Sequence, residues 1–326
     1  MLLPRKKSYL ALVLLLCCCG SGGAVKREAK LSRELFWIGE DHYRNKQPEA
    51  AKSELLRAIK MDPENAPAHD LLAMIYFAEG VHAQNYVERE QCLQGQEAQE
   101  QQSVVNERFR AAENHLLLAI KLSEGEKRNK SDALNTLANI ALHFERYDDA
   151  LAYSNGALEN IMYPSRHMGL ATRGWVHYRR GHLDEAAKDL RQALFYQPRF
   201  CAGRFRLAKV YYDQKKYELA IKNLEELITE PEKQKGWKGE CCRVCDGECT
   251  CGDVCVPCGG ECKEEVGCAC KARGCQLQDA FHLLGLAYKR LKQQEQSQIQ
   301  FEKCVMLNPK SCVAVQCRRY AKMIRR

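Results

Sequence analysis

The run Phe281-His282-Leu283-Leu284-Gly285-Leu286-Ala287-Tyr288, with Phe301 and Pro309 downstream, decides how the chain folds. Its order is an aromatic, two residues, Leu-Gly, two residues and Tyr, then a second aromatic and a proline. A residue as small as Gly285 lets two helices approach closely, and the bulky residues around it fill the space between them. Pro309 ends the second helix, because proline has no N–H and its ring clashes with the preceding turn. One such helix pair cannot bury its own apolar face, so further copies are expected.

The copies are present, and their spacing is that of the tetratricopeptide repeat, W-x2-L-G-x2-Y…A-x3-F…P, with Ser297 standing where the pattern has Ala. Gly174 to Ala208 is 34 residues and Ala186 to Ala220 is 34, which is the repeat period. Repeat one carries Leu35, Ile38 and Gly39 on its first helix and Ala51, Leu55 and Ala58 on its second. Repeat two has Leu72, Ala73 and Tyr76, then Ala112, Leu116 and Ala119. Repeats three, four and five are centred on Leu137-Ala138, Gly174 and Leu207-Ala208. Ala73 to Ala112 is 39 residues where Gly39 to Ala51 is 12, so about 27 are inserted in repeat two. This insertion, about 79–105, is rich in Gln and Glu, which favour helix. It reads as an extension of both helices broken near Gly95, or as a loop. Ala208 to Gly285 is 77 residues, an excess of 43 over the period. The excess is a cysteine-rich block. The expected organisation is 1–19 signal, 20–30 tether, 31–235 repeats one to five, 236–276 cysteine-rich insertion, 277–310 repeat six and 311–326 a C-terminal capping helix. The fold class is all-α, a right-handed superhelix of about six repeats.

The 326 residues contain 45% apolar residues and carry a net charge of +8. Basic residues are scattered among acids without a compact patch of interleaved aromatics, so no nucleic-acid partner is expected. At the start, Arg5-Lys6-Lys7 precedes the apolar run Tyr9-Leu-Ala-Leu-Val-Leu-Leu-Leu16 and then Cys17-Cys18-Cys19-Gly20-Ser21-Gly22-Gly23. This is the layout of a secretory signal. The cysteines stand where a bacterial lipoprotein signal places its lipidated residue. Cys19 is the expected site because the Gly-Ser-Gly-Gly tether follows it, with Cys18 as the alternative. A diacylated and N-acylated cysteine is enough for stable anchoring, and no acidic residue follows it, so the expected location is the periplasmic face of the outer membrane. A plainly cleaved, soluble secreted chain is the other reading.

There are 19 cysteines. Eleven form the block: Cys241, Cys242, Cys245, Cys249, Cys251, Cys255, Cys258, Cys262, Cys268, Cys270 and Cys275. With almost nothing apolar between them, covalent links must hold any fold. Disulfides are expected in an exported protein, and Cys304, Cys312 and Cys317 join the candidates. Zinc held by thiolates is the minority reading. Eleven is odd, so full pairing requires at least one bridge from the block to another part of the chain. Connectivity is not readable from spacing.

The first helix of each pair lines the inner surface of such a solenoid. Positions beside the small residue there carry Phe36 and Tyr43, Met74 and Phe77, Trp175 and Tyr178, and Phe205 and Tyr212. They read as a partner-binding groove, or as packing between repeats. Asn135 and Asn139 interrupt the row in repeat three, and His282 and Lys289 end it in repeat six. No catalytic constellation appears. The chain has no HExxH, GxSxG or P-loop, and Asp148-Asp149 and Asp184-Glu185 sit at helix starts, where they complement the dipole. No enzyme activity and no cofactor are expected.

Between repeats three and four stands Ala157-Leu158-Glu159-Asn160-Ile161-Met162-Tyr163-Pro164. It resembles the Ala-Leu-x-Asn-x-x-Tyr-Pro linker of the type IV pilus lipoproteins called Tgl, PilF or PilW. With the signal and the repeat count, the resemblance spans 1–78, 106–235 and 276–326. It implies a lipid-anchored outer-membrane scaffold that helps the pilus secretin reach the membrane and oligomerise, with secretin subunits as partners. The two insertions have no counterpart in that pattern. A scaffold for another envelope complex, or a metal- or redox-responsive adaptor built on the cysteine block, are the alternatives.

Overall fold

The computed structural model describes residues 21–87, 93–123, 130–229, 248–251, 254–257, 268–270 and 277–324. Thirteen helices are found among the described residues: α1 Ser21–Arg44, α2 Pro48–Met61, α3 Ala66–Asn85, α4 Gly95–Leu122, α5 Ser131–His143, α6 Tyr147–Glu159, α7 Arg166–Arg179, α8 Leu183–Tyr196, α9 Cys201–Asp213, α10 Tyr217–Thr229, α11 Leu277–Arg290, α12 Gln294–Leu307 and α13 Cys312–Ile324. They are tetratricopeptide helix pairs, α1–α2 through α11–α12, with α13 as a final single helix. Two compact units divide the chain, Met1–His82 with Ser103–Arg128, and Ala83–Gln102 with Asn129–Arg326.

In the first unit, Leu35, Ala51, Leu55, Ala58, Leu72 and Ile75 form one buried cluster. Ser32 Oγ donates to Ala58 O at 2.8 Å and accepts from Asn65 Nδ2 at 2.8 Å, which fastens α1 to the end of α2. Residues 20–30 were expected as a tether, but from Ser21 onward they belong to α1. The Lys26-Arg27-Glu28-Ala29-Lys30 run consists of good helix formers, and it outweighs the glycines before it. In the Gln/Glu-rich region α3 runs on to Asn85 and α4 begins at Gly95, whose φ is +64°.

In the second unit each second helix packs on the first helix of the next repeat, and α5, α7, α9, α11 and α13 also neighbour one another in that order. The first helices therefore form one layer and the second helices the other. Leu170, Ala186, Leu190, Leu207 and Tyr211 fill the space within repeats four and five. Ala208, Leu224, Leu227, Leu283 and Leu284 carry the core across the site of the cysteine-rich insertion into repeat six. The small residue on each first helix works as its position suggests. A Cβ on Gly285 would stand 2.7 Å from the Phe301 ring, and one on Gly174 would stand 3.1 Å from Leu190 Cγ and 3.2 Å from Ala186 O. Ser297, the departure from the pattern, is buried and donates to Gly285 O at 2.8 Å, so its hydroxyl is satisfied where Ala would have left nothing to satisfy.

Turns inside the repeats share one device. Lys46, Glu145, Gly181, Lys215 and Lys292 all have φ between 58° and 82°, two residues before the second helix begins. The residue after each donates back across the turn, as in Lys216 N to Tyr211 O at 2.8 Å and His182 N to His177 O at 2.9 Å. This left-handed closure satisfies the orphan carbonyls at the end of the first helix.

Cys304 and Cys317 form a disulfide between α12 and α13, with Cα atoms 6.3 Å apart. Cys201 and Cys312 each take part in a disulfide as well. Ser311 Oγ accepts from Ala314 N at 3.0 Å and so caps α13. Within the cysteine-rich insertion, β1 Glu248–Cys251, β2 Val254–Pro257 and β3 Cys268–Cys270 make an antiparallel sheet of order β2-β1-β3, in which Cys249 pairs with Cys270 and Thr250 with Cys255 in register. Cys17, Cys18 and Cys19, and Cys241, Cys242, Cys245, Cys258, Cys262 and Cys275, lie outside the described residues. No helix among the described residues is long and apolar enough to cross a membrane.

Candidate protein-binding face

The eight aromatic and Met positions fall four in each unit. In the first, Phe36 is half-buried on the α1–α3 core and meets Trp37 edge-on, with centroids 5.1 Å apart. Tyr43 is exposed, Met74 is half-buried, and Phe77 lies against Phe109 at 5.7 Å. Trp37, which the periodicity did not single out, is 61% exposed.

The other four lie at seams between repeats. Trp175 packs toward Ala141 and Leu142 of repeat three and stacks on Tyr178 at 4.3 Å. Tyr178 donates to Asp213 Oδ2 at 2.7 Å, which ties α7 to the end of α9. Burial together with Asp213 raises the Tyr178 pKa well above the usual phenol value. Phe205 and Tyr212 pack onto the core that joins repeats five and six. These rings serve as inter-repeat packing, yet all four stand on first-layer helices and none is fully buried.

Cations fill the space between the rings. Arg206 lies 5.4 Å from the Trp175 ring and donates to Ala171 O at 3.3 Å. Lys209 pairs with Asp213 at 3.2 Å and sits over Tyr212, whose hydroxyl accepts from Arg290 Nε at 3.3 Å. Lys289 lies 4.8 Å from the Tyr320 ring. The repeat spacing singled out Lys289 but not Arg206 or Arg290. They lie on α9 and α11, first-layer helices that carry one acidic residue each.

Of the polar atoms on this layer that are buried without a hydrogen-bond partner among the described residues, His177 Nδ1 included, two stand out, Asn135 Oδ1 and His282 Nε2. They occupy equivalent places, three residues before Ala138 and Gly285. Burial and then the Lys209 charge lower the His282 pKa from 6.5 to about 4. Asn139, which interrupts the aromatic row, donates to Asn135 O at 2.8 Å and Thr172 Oγ1 at 3.2 Å. Arg173 grips Asp189 with two hydrogen bonds of 2.7 and 2.8 Å and also donates to Asn155 Oδ1 at 3.0 Å, a structural link between repeats three and four.

The linker at residues 157–164 is a packed turn. Leu158 and Tyr163 are buried, Tyr163 donates to Asp132 Oδ1 at 2.9 Å, and Arg166 donates to Leu158 O at 2.9 Å. Ile161 and Met162 project from it, each 84% exposed. Elsewhere, His69 and His115 approach through their Nδ1 atoms at 2.7 Å, and His69 Nε2–H donates to Pro63 O at 3.0 Å, so His115 is the donor between the rings. No group of three or more His, Cys, Asp or Glu side chains converges as a metal site among the described residues.

With this geometry in hand, the relatives can be placed. Residues 172–234 and 278–311 match tetratricopeptide repeat models. No curated protein matches the chain in sequence. Among solved structures, Pseudomonas aeruginosa PilF superposes with a TM-score of 0.52 at 15% identity, covering 90% of this chain and 98% of PilF. PilW, described as a widely conserved type IV pilus biogenesis factor, gives 0.55 at 15% identity, covering 87% and 97%. The APC/C hetero-tetramer Cut9–Hcn1 gives 0.56 at 13%, covering 96% of this chain but 49% of the other. The chain therefore shares the repeat fold, over 87–90% of its length, with PilF and PilW, and over 96% with part of a protein of a different assembly.

Proposed function

We propose that the protein is a lipid-anchored scaffold of the outer membrane that binds subunits of a type IV pilus secretin and promotes their delivery and oligomerisation. The single observation that carries this reading is the coincidence of the repeat fold, shared with PilF and PilW over 90% and 87% of the chain, with the Ala-Leu-x-Asn-x-x-Tyr-Pro linker folded as a packed turn between repeats three and four. Many repeat proteins share the first feature, and the linker is what favours the pilus over another assembly.

The mechanism needs no chemistry. Acylation at Cys19 or Cys18 holds the scaffold at the membrane, and a secretin segment lies along the first-helix layer. Tethering raises the local concentration of subunits at the bilayer, and assembly becomes effectively intramolecular. A scaffold for another envelope complex would use the same face, as the match to Cut9–Hcn1 illustrates for the fold. The test is deletion of the gene followed by fractionation and an immunoblot for heat-resistant secretin multimers. Loss of multimers from the outer membrane is expected. Multimers that persist there at wild-type level would falsify the proposal.

A further inference from the structure

Charge is sorted by layer in the second unit. Of the first-layer helices from repeat four onward, α7 and α13 contain no acid, and α9 and α11 carry one each, Asp213 and Asp279. The second-layer helices α8, α10 and α12 each hold more acids than bases. Asp213 pairs with Lys209 at 3.2 Å and so offsets one of these charges, but the four helices together still hold more Lys and Arg than acids. Helix propensity does not require such sorting, since Glu and Lys are equivalent helix formers. It leaves the first-helix layer of repeats four to six positive.

We infer that this inner face takes an acidic protein segment, whose carboxylates meet Lys209, Lys289 and Arg290. The inference rests on the scaffold reading above and names the chemistry of the segment bound. Complementary charge of this kind steers encounter and suppresses wrong partners. A nucleic acid is the weaker occupant. Binding a single strand relies on aromatic faces open to stacking, and here Trp175 is stacked on Tyr178 and flanked by Arg206, while Tyr212 is flanked by Lys209 and Tyr217.

The experiment uses the purified full-length chain and fluorescence anisotropy with three probes: a labelled peptide alternating Glu and Leu, the same peptide with Lys for Glu, and a single-stranded oligothymidylate. The Glu peptide should bind, and added salt should weaken it. The double variant Lys209→Glu/Lys289→Glu should weaken it by about tenfold or more, about 1.4 kcal/mol. Leu219→Glu, on the outer helix α10, should leave binding unchanged. The milder pair Lys209→Ser/Lys289→Ser, checked by circular dichroism, serves if charge reversal disturbs folding. Equal binding of the Lys peptide, displacement by the oligothymidylate, or wild-type affinity in both double variants overturns the inference. Secretin capture measured alongside separates the two readings. Capture that survives in the double variants counts against the acidic segment alone, whereas capture absent from the wild-type chain counts against the scaffold.

Discussion

His282 occupies the place on α11 that Phe205 holds on α9 and Ala171 on α7, and there its imidazole is buried beside the Phe301 and Tyr320 rings. Burial keeps it neutral, with a pKa lowered from 6.5 to about 4. Burial also lowers His115, His167 and His177, with His69 adding to the effect at His115 and Asp189 opposing it at His177. In the unfolded chain these groups titrate near 6.5, so between that pH and the folded value the unfolded state binds more protons. Stability contributed by the neutral rings is present above pH 6.5 and is lost as pH falls. For His282 the loss amounts to about 2 kcal/mol between pH 7 and pH 5. Chemical denaturation at the two pH values should show a smaller drop for His282→Gln than for the wild type by roughly that amount. An identical drop would mean the ring is not held neutral. The sequence did not reveal this role. A histidine among apolar residues has the same spacing whether it is solvated or buried, and only the packing of Tyr320 on α13 closes the site.

At the scale of the element, the repeat spacing was legible because it is set by steric contact. Gly174, Ala208 and Gly285 recur where two helix backbones meet, and Leu190 and Phe301 fill what those small residues leave open. Less legible were the turns. Four of the five left-handed turn residues are Lys or Glu, which carry no turn signature, and Gly181 is the exception. Gly181→Ala should therefore lower stability by about 1 kcal/mol, since a Cβ disfavours that backbone conformation, and a thermal melt reads it. The 20–30 segment misled because Gly-Ser-Gly-Gly signals a linker, while the charged residues behind it are strong enough to carry α1 back to Ser21. At the other end the Cys304–Cys317 disulfide closes a loop with a sequence separation of 13, worth about 3 kcal/mol by loop entropy. Cys317→Ser should accelerate hydrogen exchange across α13 while leaving α7 and α8 protected. Uniform acceleration would show that the bridge supports the whole array and not its last helix.

For the whole molecule, the fold class was readable from periodicity, but the binding face was readable only in part. Trp175, Tyr178, Phe205 and Tyr212 were found because aromatics stand out at a fixed offset from the small residue, and the structure places them, partly buried, at the seams between repeats. Arg206 and Arg290 went unnoticed because charge looks scattered along the chain and becomes sorted only when first and second helices separate into layers. The central claim is that partners are held on the inner layer. Site-specific photo-crosslinking in cells tests it most directly, with the photoreactive residue placed either at Lys289 on α11 or at exposed Leu219 on α10. A secretin adduct from position 289 and none from position 219 is expected. An adduct from position 219 with none from position 289 would contradict it.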